Sequence, residues 1–575
     1  MDVRRATGSI KSIREWSKAC FGTDRKQQRA FEVLISSFLL TFYDEKPEDV
    51  HDATQESTKR RSKYRRAKRA LKRLRGIGDS KNLICLLHGS GGSGKSTVIN
   101  TVKAYAADYC AMLGHKFTSR TIVVTAMSGV AATLLGGETT HKVLGLNRDT
   151  VQNEEKLEWL DARLLIIDEV SFASAADFQK MHKHLMSFMD NRFEYYGGLN
   201  IVFAGDYSQL EPVGRDPVYK DGHFCPEFHG ALNAYIELDG KWRFVKDPKW
   251  GNIMSRFREG NPTADDIRFI NDNCSTKLKK PPVGIQVATY TNKDRDAINA
   301  SIFDKWTAKN RPADNSLLKS ACLVFMDDLY MNDGSKTPVP INSNMVIRHF
   351  YENCTESECN FRKGGKGRID PVLKLYPNCP MMLTQNTDVA NGEANGSRVQ
   401  VKNVVVKPGE TPFALRLDNG TTVYALYASQ VDCISLEHEN EDIVPRQFDI
   451  STKTFNFQCR MTVGLEELFT GMRGEQFPII SNSCTTGHKL QGCTVDTILA
   501  NDWYYGANWV YVVLSRVKTM SGLYIRKPLS FKLEKYDKPD EMKKMLEVFR
   551  EKILMGEFTL EEYEALEKVG LEDDD

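Results

Sequence analysis

The feature that most constrains how this chain can fold is an apolar run, residues 83–88, that stops at a glycine-rich loop. The loop fits the pattern G-x-x-x-x-G-K-[ST] and consists of Gly89, Ser90, Gly91, Gly92, Ser93, Gly94, Lys95, Ser96 and Thr97. Strand, loop and helix in this order predict a phosphate loop, because small residues let backbone N–H groups turn toward phosphate oxygens at a helix N-terminus. Lys95 is expected to reach the β- and γ-phosphates, and the Ser96 hydroxyl to ligate Mg²⁺. The sequence therefore predicts a nucleoside triphosphate site.

Two carboxylates follow a second apolar run, where this chemistry needs them. Residues 164–167 form an uninterrupted apolar stretch, as expected of a parallel strand buried on both faces, and Asp168 and Glu169 come directly after it. Asp168 is predicted to hold the hydrated Mg²⁺ and Glu169 to polarise the attacking water. A further strand, residues 201–204, runs into the polar stretch 205–213. Strands that alternate with helices predict a doubly wound α/β domain with ligands at the carboxyl ends of its strands.

Length and composition indicate a soluble protein of several domains. The chain has 575 residues, 41% hydrophobic and 27% charged, which is too long for one core and ordinary for globular proteins. It contains no apolar run of about 18 residues, so neither a membrane span nor a membrane partner is predicted. Thirteen cysteines without an N-terminal signal core indicate a reducing intracellular compartment, nucleus or cytoplasm, with the mitochondrion as an alternative.

Charge is distributed unevenly along the chain. The net charge is only +2, yet residues 59–75 are densely basic and residues 572–575 are acidic. The basic segment could bind phosphates or act as a nuclear address, or it could be a solvated, partly disordered insertion; the sequence leaves these alternatives open. Helical spacing of apolar residues over 3–20 predicts a surface helix rather than a mitochondrial transit peptide, because Asp2 and Glu15 are acidic.

A second α/β pattern begins at residues 285–290 and resumes at 479–480 after a long interruption. Between about residues 311 and 465 the periodicity weakens, and short alternating segments predict small β-structure in an insertion. Four potential zinc ligands fall in or beside it, although their spacing matches no common zinc framework. They are His349, Cys354, Cys359 and Cys379.

Several motifs follow one another in a fixed order. They are residues 125–132, 136–146, 168–172, 196–213 and 382–386. Together with the phosphate loop, and over the span from Gln27 to Arg516, they resemble superfamily 1 helicases, and among these the Pif (petite integration frequency) and RecD-like branch. The resemblance covers roughly residues 23–527. Its most diagnostic part is the stretch from 168 to 213, with a signature helix, a Gly-Gly strand and a G-D-x-x-Q-L-x-P-V motif.

The resemblance implies an α/β fold with two RecA-like parallel-sheet P-loop domains that bind ATP, together with small inserted domains, one of them a small β-barrel. The implied boundaries are residues 1–22 for an N-terminal helix or extension, 23–240 for the first RecA-like domain with insertions at 46–80 and about 147–160, 241–310 with 466–530 for the second, 311–465 for a β-rich insertion, and 531–575 for a charged helical tail.

The resemblance also implies roles for individual residues. Those expected to handle ATP and Mg²⁺ are Gln27 as adenine reader, Gln209 as γ-phosphate sensor, Gln491 and Gly492 as further nucleotide contacts, and Lys95, Ser96, Asp168 and Glu169 at the phosphates and the metal. Arg243 and Arg516 match two arginines that the second domain delivers to the γ-phosphate, which would couple hydrolysis to domain closure. Those expected to contact single-stranded DNA are Thr125, Ser128, His141, Asn292, Thr486, His488 and Lys489.

The function implied by the resemblance is that of an ATP-dependent DNA helicase. Such a motor would act as a monomer on single-stranded and tailed duplex DNA, move 5′ to 3′, and unwind duplex in replication, repair or recombination. Two alternatives stay open from the sequence. One is an NTPase that acts on RNA or within a recombination or packaging complex, and the other is a nucleotide-gated DNA-binding assembly module.

Overall fold

The computed structural model describes residues 8–44, 55–212, 214–220, 225–310, 321–332, 339–340, 347, 350–351, 369–439, 446–463, 466–506 and 508–571. Two compact units divide the chain. The first comprises residues 1–263, 505–511 and 532–575, and the second comprises residues 264–504 and 512–531. His349, Cys354 and Cys359 lie outside the described residues. Among those that are described, no group of histidine, cysteine and carboxylate side chains is arranged to hold a metal ion.

The first unit is built on a six-stranded sheet in which all strands run parallel. Its strands are β1 (Ile84–Gly89), β2 (Ile122–Ala126), β3 (Glu138–Thr139), β4 (Leu164–Asp168), β5 (Asn200–Gly205) and β6 (Ala234–Leu238), in the spatial order β3-β2-β4-β5-β1-β6. Its helices up to residue 263 are α1 (Ile10–Phe21), α2 (Arg25–Asp44), α3 (Gln55–Arg75), α4 (Lys95–Leu113), α5 (Gly129–Leu134), α6 (Thr140–Val143), α7 (Asn153–Leu157), α8 (Ala175–Phe188) and α9 (Pro248–Arg258). The predicted parallel α/β architecture is confirmed for this unit.

Both faces of this sheet are buried, which explains the uninterrupted apolar runs of its central strands. Along β1, Cys85 and Leu87 face a core formed with α1, α2 and α4, whereas Ile84 and Leu86 face a core formed with α8. The first unit extends to residue 263. Residues 241–263, which the sequence analysis assigned to the second RecA-like domain, therefore belong to the first unit.

The N-terminal helix α1 and the basic segment both pack on this unit. Ser9 caps α1, Ile13 is fully buried, and the Trp16 ring meets the edge of Tyr105 with centroids 5.2 Å apart. Residues 59–75 form most of α3, which buries Leu71 and Leu74 in the core. The segment is thus a helix with a packed face rather than a disordered insertion.

The second unit contains a smaller sheet of four parallel strands, β7 (Val287–Thr289), β21 (Cys484–Thr486), β22 (Ile498–Ala500) and β23 (Leu523–Ile525), in the spatial order β21-β7-β22-β23. Its helices are α10 (Ala264–Cys274), α11 (Asn292–Lys309) and α12 (Gly487–Leu490). Helix α13 (Trp509–Leu514) begins in the part of the sequence assigned to the first unit and ends in the part assigned to the second. The strands of the insertion are β8 (Cys322–Phe325), β9 (Asp327–Asn332), β10 (Val339–Pro340), β11 (Val372–Leu375), β12 (Pro380–Leu383), β13 (Arg398–Val406), β14 (Phe413–Arg416), β15 (Thr422–Tyr427), β16 (Val431–His438), β17 (Gln447–Ile450), β18 (Lys453–Val463), β19 (Glu466–Gln476) and β20 (Ile479–Ser481).

The insertion is longer than predicted. The hairpin β18–β19 continues to Gln476, and β20 pairs antiparallel with β12, so the α/β pattern resumes at Cys484 rather than at residues 479–480. The predicted small β-barrel is not confirmed, because the described strands of the insertion belong to three separate sheets.

Two C-terminal helices, α14 (Asp540–Ile553) and α15 (Leu560–Leu571), dock on the first unit. Helix α14 buries Met542 and Phe549 in the same core as α8. After it, the backbone N–H of Met555 donates to the carbonyl of Tyr235 on β6 (2.8 Å). The charged tail predicted from residue 531 onward is therefore, over these helices, part of the core of the first unit. No helix in the described ranges is both long enough and apolar enough to cross a membrane.

We expect Phe549→Ala to lower the free energy of unfolding by about 3–5 kcal/mol, because its ring is buried against the rings of Phe228 and Tyr235. Denaturant-induced unfolding followed by fluorescence measures the loss. Val548→Ala on the same helix, where the side chain is 41% exposed, is the matched control and should change stability by less than about 0.5 kcal/mol. Equal effects of the two substitutions would contradict the docking of α14.

Candidate active site

The phosphate loop joins β1 to α4 and takes a shape that requires glycine. Gly92 and Gly94 have φ values of 86° and 98°, which side chains rarely adopt. A Cβ atom on Gly94 would lie 1.8 Å from the Gln27 amide nitrogen, and one on Gly92 would lie 2.5 Å from the Arg243 Cβ. The loop is thus enclosed by Gln27 on one side and Arg243 on the other.

Lys95 begins α4 and folds back over the loop. Its ammonium group donates to the carbonyl oxygens of Gly89 (2.6 Å) and Ser90 (3.1 Å). Its charge also acts on Asp168 at the end of β4: burial raises the pKa of that carboxyl group, and Lys95 opposes the increase. Since β1 and β4 are separated in the sheet only by β5, Lys95 and Asp168 share one sheet edge.

The residues at this edge fit a bound Mg²⁺. The Oδ1 atom of Asp168 is buried without a hydrogen-bond partner in the part of the chain that the structure describes. A buried carboxylate oxygen without a partner is costly, and a divalent cation that prefers oxygen ligands would satisfy it. The exposed hydroxyl side chain of Ser96, on the first turn of α4, supplies the second predicted ligand.

Glu169 has an unusual backbone conformation. Its φ and ψ are 52° and 40°, in the left-handed region, directly after β4. Such a conformation costs of order 1–3 kcal/mol in a residue other than glycine and is found most often at functional sites. It turns the chain sharply from β4 into the following short helical turn, Val170–Phe172, at the edge where the predicted metal ligand lies.

Gln209 is oriented by a fully buried carboxylate, that of Asp206. The Gln209 Nε2 atom lies 3.3 Å from Asp206 Oδ2. Because a carboxylate only accepts hydrogen bonds, the NH₂ end of the amide must face Asp206. The opposite atom, Oε1, is buried and has no protein partner among the described residues. Gln209 therefore keeps an acceptor available at the candidate site, which suits a water molecule better than a phosphate oxygen.

Asp206 is in turn held by Arg258 and His88. The Arg258 guanidinium lies 3.0 Å from Asp206 through Nη2 and 3.3 Å through Nε, and His88 Nε2 lies 3.4 Å away. Burial alone raises the pKa of Asp206, but the charge of Arg258 and the hydrogen bonds bring that pKa well below its usual range. The carboxylate is thus ionised at neutral pH inside the core.

Charged residues of the C-terminal segment continue this network. Glu259, next to Arg258, forms an ion pair with Lys538 (2.9 Å). On the other side of Asp206, His88 lies 3.7 Å from Glu237, which is paired with Arg550 of α14 (2.7 Å). The residues that orient Gln209 are therefore connected to the C-terminal segment at two points, Lys538 just before α14 and Arg550 near the end of α14.

Gln27 and Arg243, two predicted nucleotide residues, both lie at the loop. The buried Gln27 amide donates to the Gly94 carbonyl (3.3 Å). Arg243 belongs to the first unit, in the short helical turn Trp242–Phe244, so the prediction that the second domain delivers it is wrong. Its placement has a simple cause: the backbone N–H of Trp242 donates to the Gly92 carbonyl (3.1 Å) and fixes this turn against the loop.

Arg516 lies in the second unit and is almost fully buried there. Its guanidinium donates to the carbonyl oxygens of Val512 (2.7 Å), Cys493 (3.2 Å) and Leu490 (3.3 Å). The last two flank the predicted nucleotide contacts Gln491 and Gly492. The structure thus brings Arg516 together with that predicted loop, and its delivery to the triphosphate stays a prediction.

The predicted DNA contacts gather at the carboxyl ends of strands in each unit, with one exception. Ser128 and His141 follow β2 and β3, Asn292 follows β7, and Thr486, His488 and Lys489 lie at the end of β21. Thr125 is fully buried, and its hydroxyl donates to the Ile166 carbonyl (3.2 Å) and accepts from Thr140 (3.0 Å). The Thr125 side chain therefore connects β2 with β4 and with α6 instead of facing a nucleic acid.

Comparisons with known proteins agree with these motifs. A family described as AAA domain matches residues 69–277. The chain is 28% identical over 198 residues to the ATP-dependent DNA helicase RRM3 of Saccharomyces cerevisiae, covering 32% of this chain and 26% of that protein. It is 28% identical over 454 residues to the ATP-dependent DNA helicase PIF1 of Danio rerio, covering 76% and 57%. A Pif1 helicase from Bacteroides, in complex with ADP-AlF3 and ssDNA, superposes with a TM-score of 0.54 at 19% identity, covering 84% and 96%.

The chain is similar to Pif1-type helicases along most of its length, and it shares the fold of a solved Pif1 helicase. The resemblance that the motif order predicted is therefore confirmed, as is the RecA-like fold. The chain spans little more than half the length of several of the curated relatives it matches.

Two residues at the candidate site were not assigned a role by the sequence analysis. Arg258 acts as a positioning residue for Gln209 through Asp206, and no local pattern marks it, because its partner is 52 residues away. Trp242 leaves 53% of its side chain exposed beside the phosphate loop. A signal for Trp242 was present, since this large aromatic residue directly precedes the predicted nucleotide residue Arg243.

We expect Arg258→Met to lower kcat for ATP hydrolysis and to leave KM for ATP nearly unchanged, because the orientation of Gln209 depends on Asp206. The variant should also be less stable at pH 7 by about 3–5 kcal/mol, since it leaves a buried carboxylate without its partner. Steady-state kinetics and denaturant unfolding measure the two effects.

The loss of stability caused by Arg258→Met should depend on pH, in a direction that follows from the Asp206 pKa. The wild-type pair, with a depressed Asp206 pKa, keeps its stabilisation until the pH falls below the usual aspartate value of about 3.9. Without Arg258, burial raises the Asp206 pKa, so Asp206 becomes protonated in the folded variant as the pH falls. Protonation removes the cost of the buried charge. The difference in free energy of unfolding between wild type and variant should therefore become smaller from pH 7 to about pH 4. Lys249→Met, which removes an exposed lysine from the same helix, should show no such narrowing. A constant difference across this range would refute the assigned role.

Proposed function

We propose that this chain is an ATP-dependent motor that moves along single-stranded DNA and unwinds duplex DNA. The observation that carries the proposal is the convergence of Lys95, Asp168, Glu169 and Gln209 at one edge of the first parallel sheet. The names of the relatives support it, since those matched along most of the chain are ATP-dependent DNA helicases.

The arrangement supplies what phosphoryl transfer to water needs. Lys95 would exchange its bonds to the Gly89 and Ser90 carbonyls for bonds to phosphate oxygens when ATP binds. Mg²⁺, held by Asp168 and Ser96, would contribute positive charge at the β- and γ-phosphates. Glu169 would polarise the attacking water, and the Oε1 atom of Gln209, which accepts no hydrogen bond from the described residues, would fix the orientation of that water. The acceptor role fits Gln209 because Asp206 holds its amide nitrogen.

The affinity for single-stranded DNA would depend little on the base sequence and strongly on the salt concentration. Of the residues assigned to it, Lys489 would neutralise phosphate charge, and Ser128 and Asn292 offer uncharged polar groups. We propose 5′ to 3′ movement from the resemblance to the Pif and RecD-like branch, and action on tailed duplexes as a monomer.

A strand-displacement assay tests this function. Duplexes with a 5′ single-stranded DNA tail should be unwound in the presence of ATP and Mg²⁺, those with a 3′ tail should not, and an RNA tail of equal length should support less unwinding. Lys95→Ala should lower ATP hydrolysis by about 10²-fold or more and abolish displacement, because it removes the charge at the phosphates. Preferred unwinding of 3′-tailed substrates would overturn the direction, and preferred use of the RNA tail would overturn DNA as the substrate.

We expect Arg516→Ala to bind ATP with near wild-type affinity and to hydrolyse it slowly, because an arginine of this kind acts on the charge of the transferred phosphoryl group. Binding of a fluorescent ATP analogue and single-turnover hydrolysis separate the two steps. Thermal unfolding serves as the control, since Arg516 also bonds backbone carbonyls within the second unit. Loss of ATP binding in a variant that unfolds at the wild-type temperature would contradict the role at the γ-phosphate.

A further inference from the structure

Two tyrosines at the edge of the second sheet form a stacked pair that is open to solvent. The rings of Tyr290 and Tyr504 are nearly parallel, at 10°, with centroids 3.9 Å apart. Their side chains remain 40% and 39% exposed. Because each ring covers one face of the other, a ligand can stack on the pair only at an outer ring face. Neither ring is part of the core cluster of this sheet.

The pair is held in place by the ends of two neighbouring strands. Strands β7 and β22 pair in parallel, so Tyr290, directly after β7, and Tyr504, four residues after β22, leave the sheet at the same edge. Asp502 connects the two segments: its carboxylate accepts from the backbone N–H of Tyr290 (2.9 Å) and from the Thr289 hydroxyl (2.7 Å). This connection reduces the entropy that either ring would lose on binding a ligand.

The edge that carries the pair also carries the predicted DNA contacts of this unit. In the strand order β21-β7-β22-β23, Thr486, His488 and Lys489 follow β21, and Asn292 lies two residues after Tyr290. Polar and cationic groups and an exposed aromatic face therefore follow adjacent strand ends. Single-stranded nucleic acid requires this combination, because its phosphates need cations and its unpaired bases need flat apolar surfaces.

We propose that the stacked rings of Tyr290 and Tyr504 form a base-stacking platform for one nucleobase of a bound single strand. The inference rests on the proposed function and specifies one subsite of it. Stacking on an outer ring face uses the π-surface that all four bases share, so the platform contributes affinity without sequence preference.

Binding to strands with and without bases tests the platform. The probes are a fluorescent thymidine oligonucleotide and an oligonucleotide of the same length that is abasic throughout, measured by anisotropy at fixed salt. The wild-type chain should bind the thymidine strand more tightly. Tyr290→Ala with Tyr504→Ala should weaken thymidine binding by about tenfold or more and leave abasic binding unchanged, since a base stacked on an aromatic side chain contributes on the order of a factor of 5 to 150.

Three further variants make the result decisive. Replacing both tyrosines with phenylalanine should preserve thymidine binding, and replacing both with leucine, which keeps apolar bulk, should lower it as alanine does. Phe193→Ala removes a 98% exposed ring from the first unit and should change neither affinity. Wild-type thymidine affinity in the alanine and leucine variants, or equal losses on both strands, would overturn the platform. A wild-type chain that binds neither strand would instead overturn the proposed function itself.

Discussion

Parallel strand pairing in the first sheet is the constraint on which the rest of this structure depends. Strand β1 lies between β5 and β6, and β4 lies between β2 and β5, all in the same direction. The phosphate loop, Asp168 and the stretch that carries Gln209 must therefore leave the sheet at one edge. The same pairing buries both faces of the sheet, so helices are required on each side, and the C-terminal helix α14 supplies part of that cover.

The carboxylate of Asp206 shows how the core and the site depend on each other. Burial of a charge is unfavourable unless partners compensate for it, and here Arg258 and His88 do so. Once ionised, Asp206 fixes which end of the Gln209 amide faces the site. The network ends in Lys538 and Arg550, which belong to the docked C-terminal segment. Stability of the first unit and orientation of the Gln209 side chain thus rest on the same contacts.

The second unit is also built on parallel strands whose carboxyl ends lie at one edge, but it has fewer of them. Four parallel strands again place functional candidates at their carboxyl ends, from Thr486 after β21 to Tyr504 after β22. The long insertion separates β7 from β21 in sequence, yet the two strands pair directly. The insertion follows α11 and ends just before β21, and the direct pairing of β7 with β21 is kept.

The sequence by itself determined the features that depend on short stretches of chain. Hydrophobic runs located β1, β4 and β5, and the glycine spacing located the phosphate loop, since strand burial and phosphate binding impose local patterns. Only the tertiary structure decided that Arg243 belongs to the first unit, that Thr125 is buried, and that the C-terminal helices complete a core. It also revealed Arg258 and the Tyr290–Tyr504 pair. These features arise from contacts between residues far apart in sequence, such as Glu237 with Arg550, and packing of the whole chain selects such partners without leaving a local pattern.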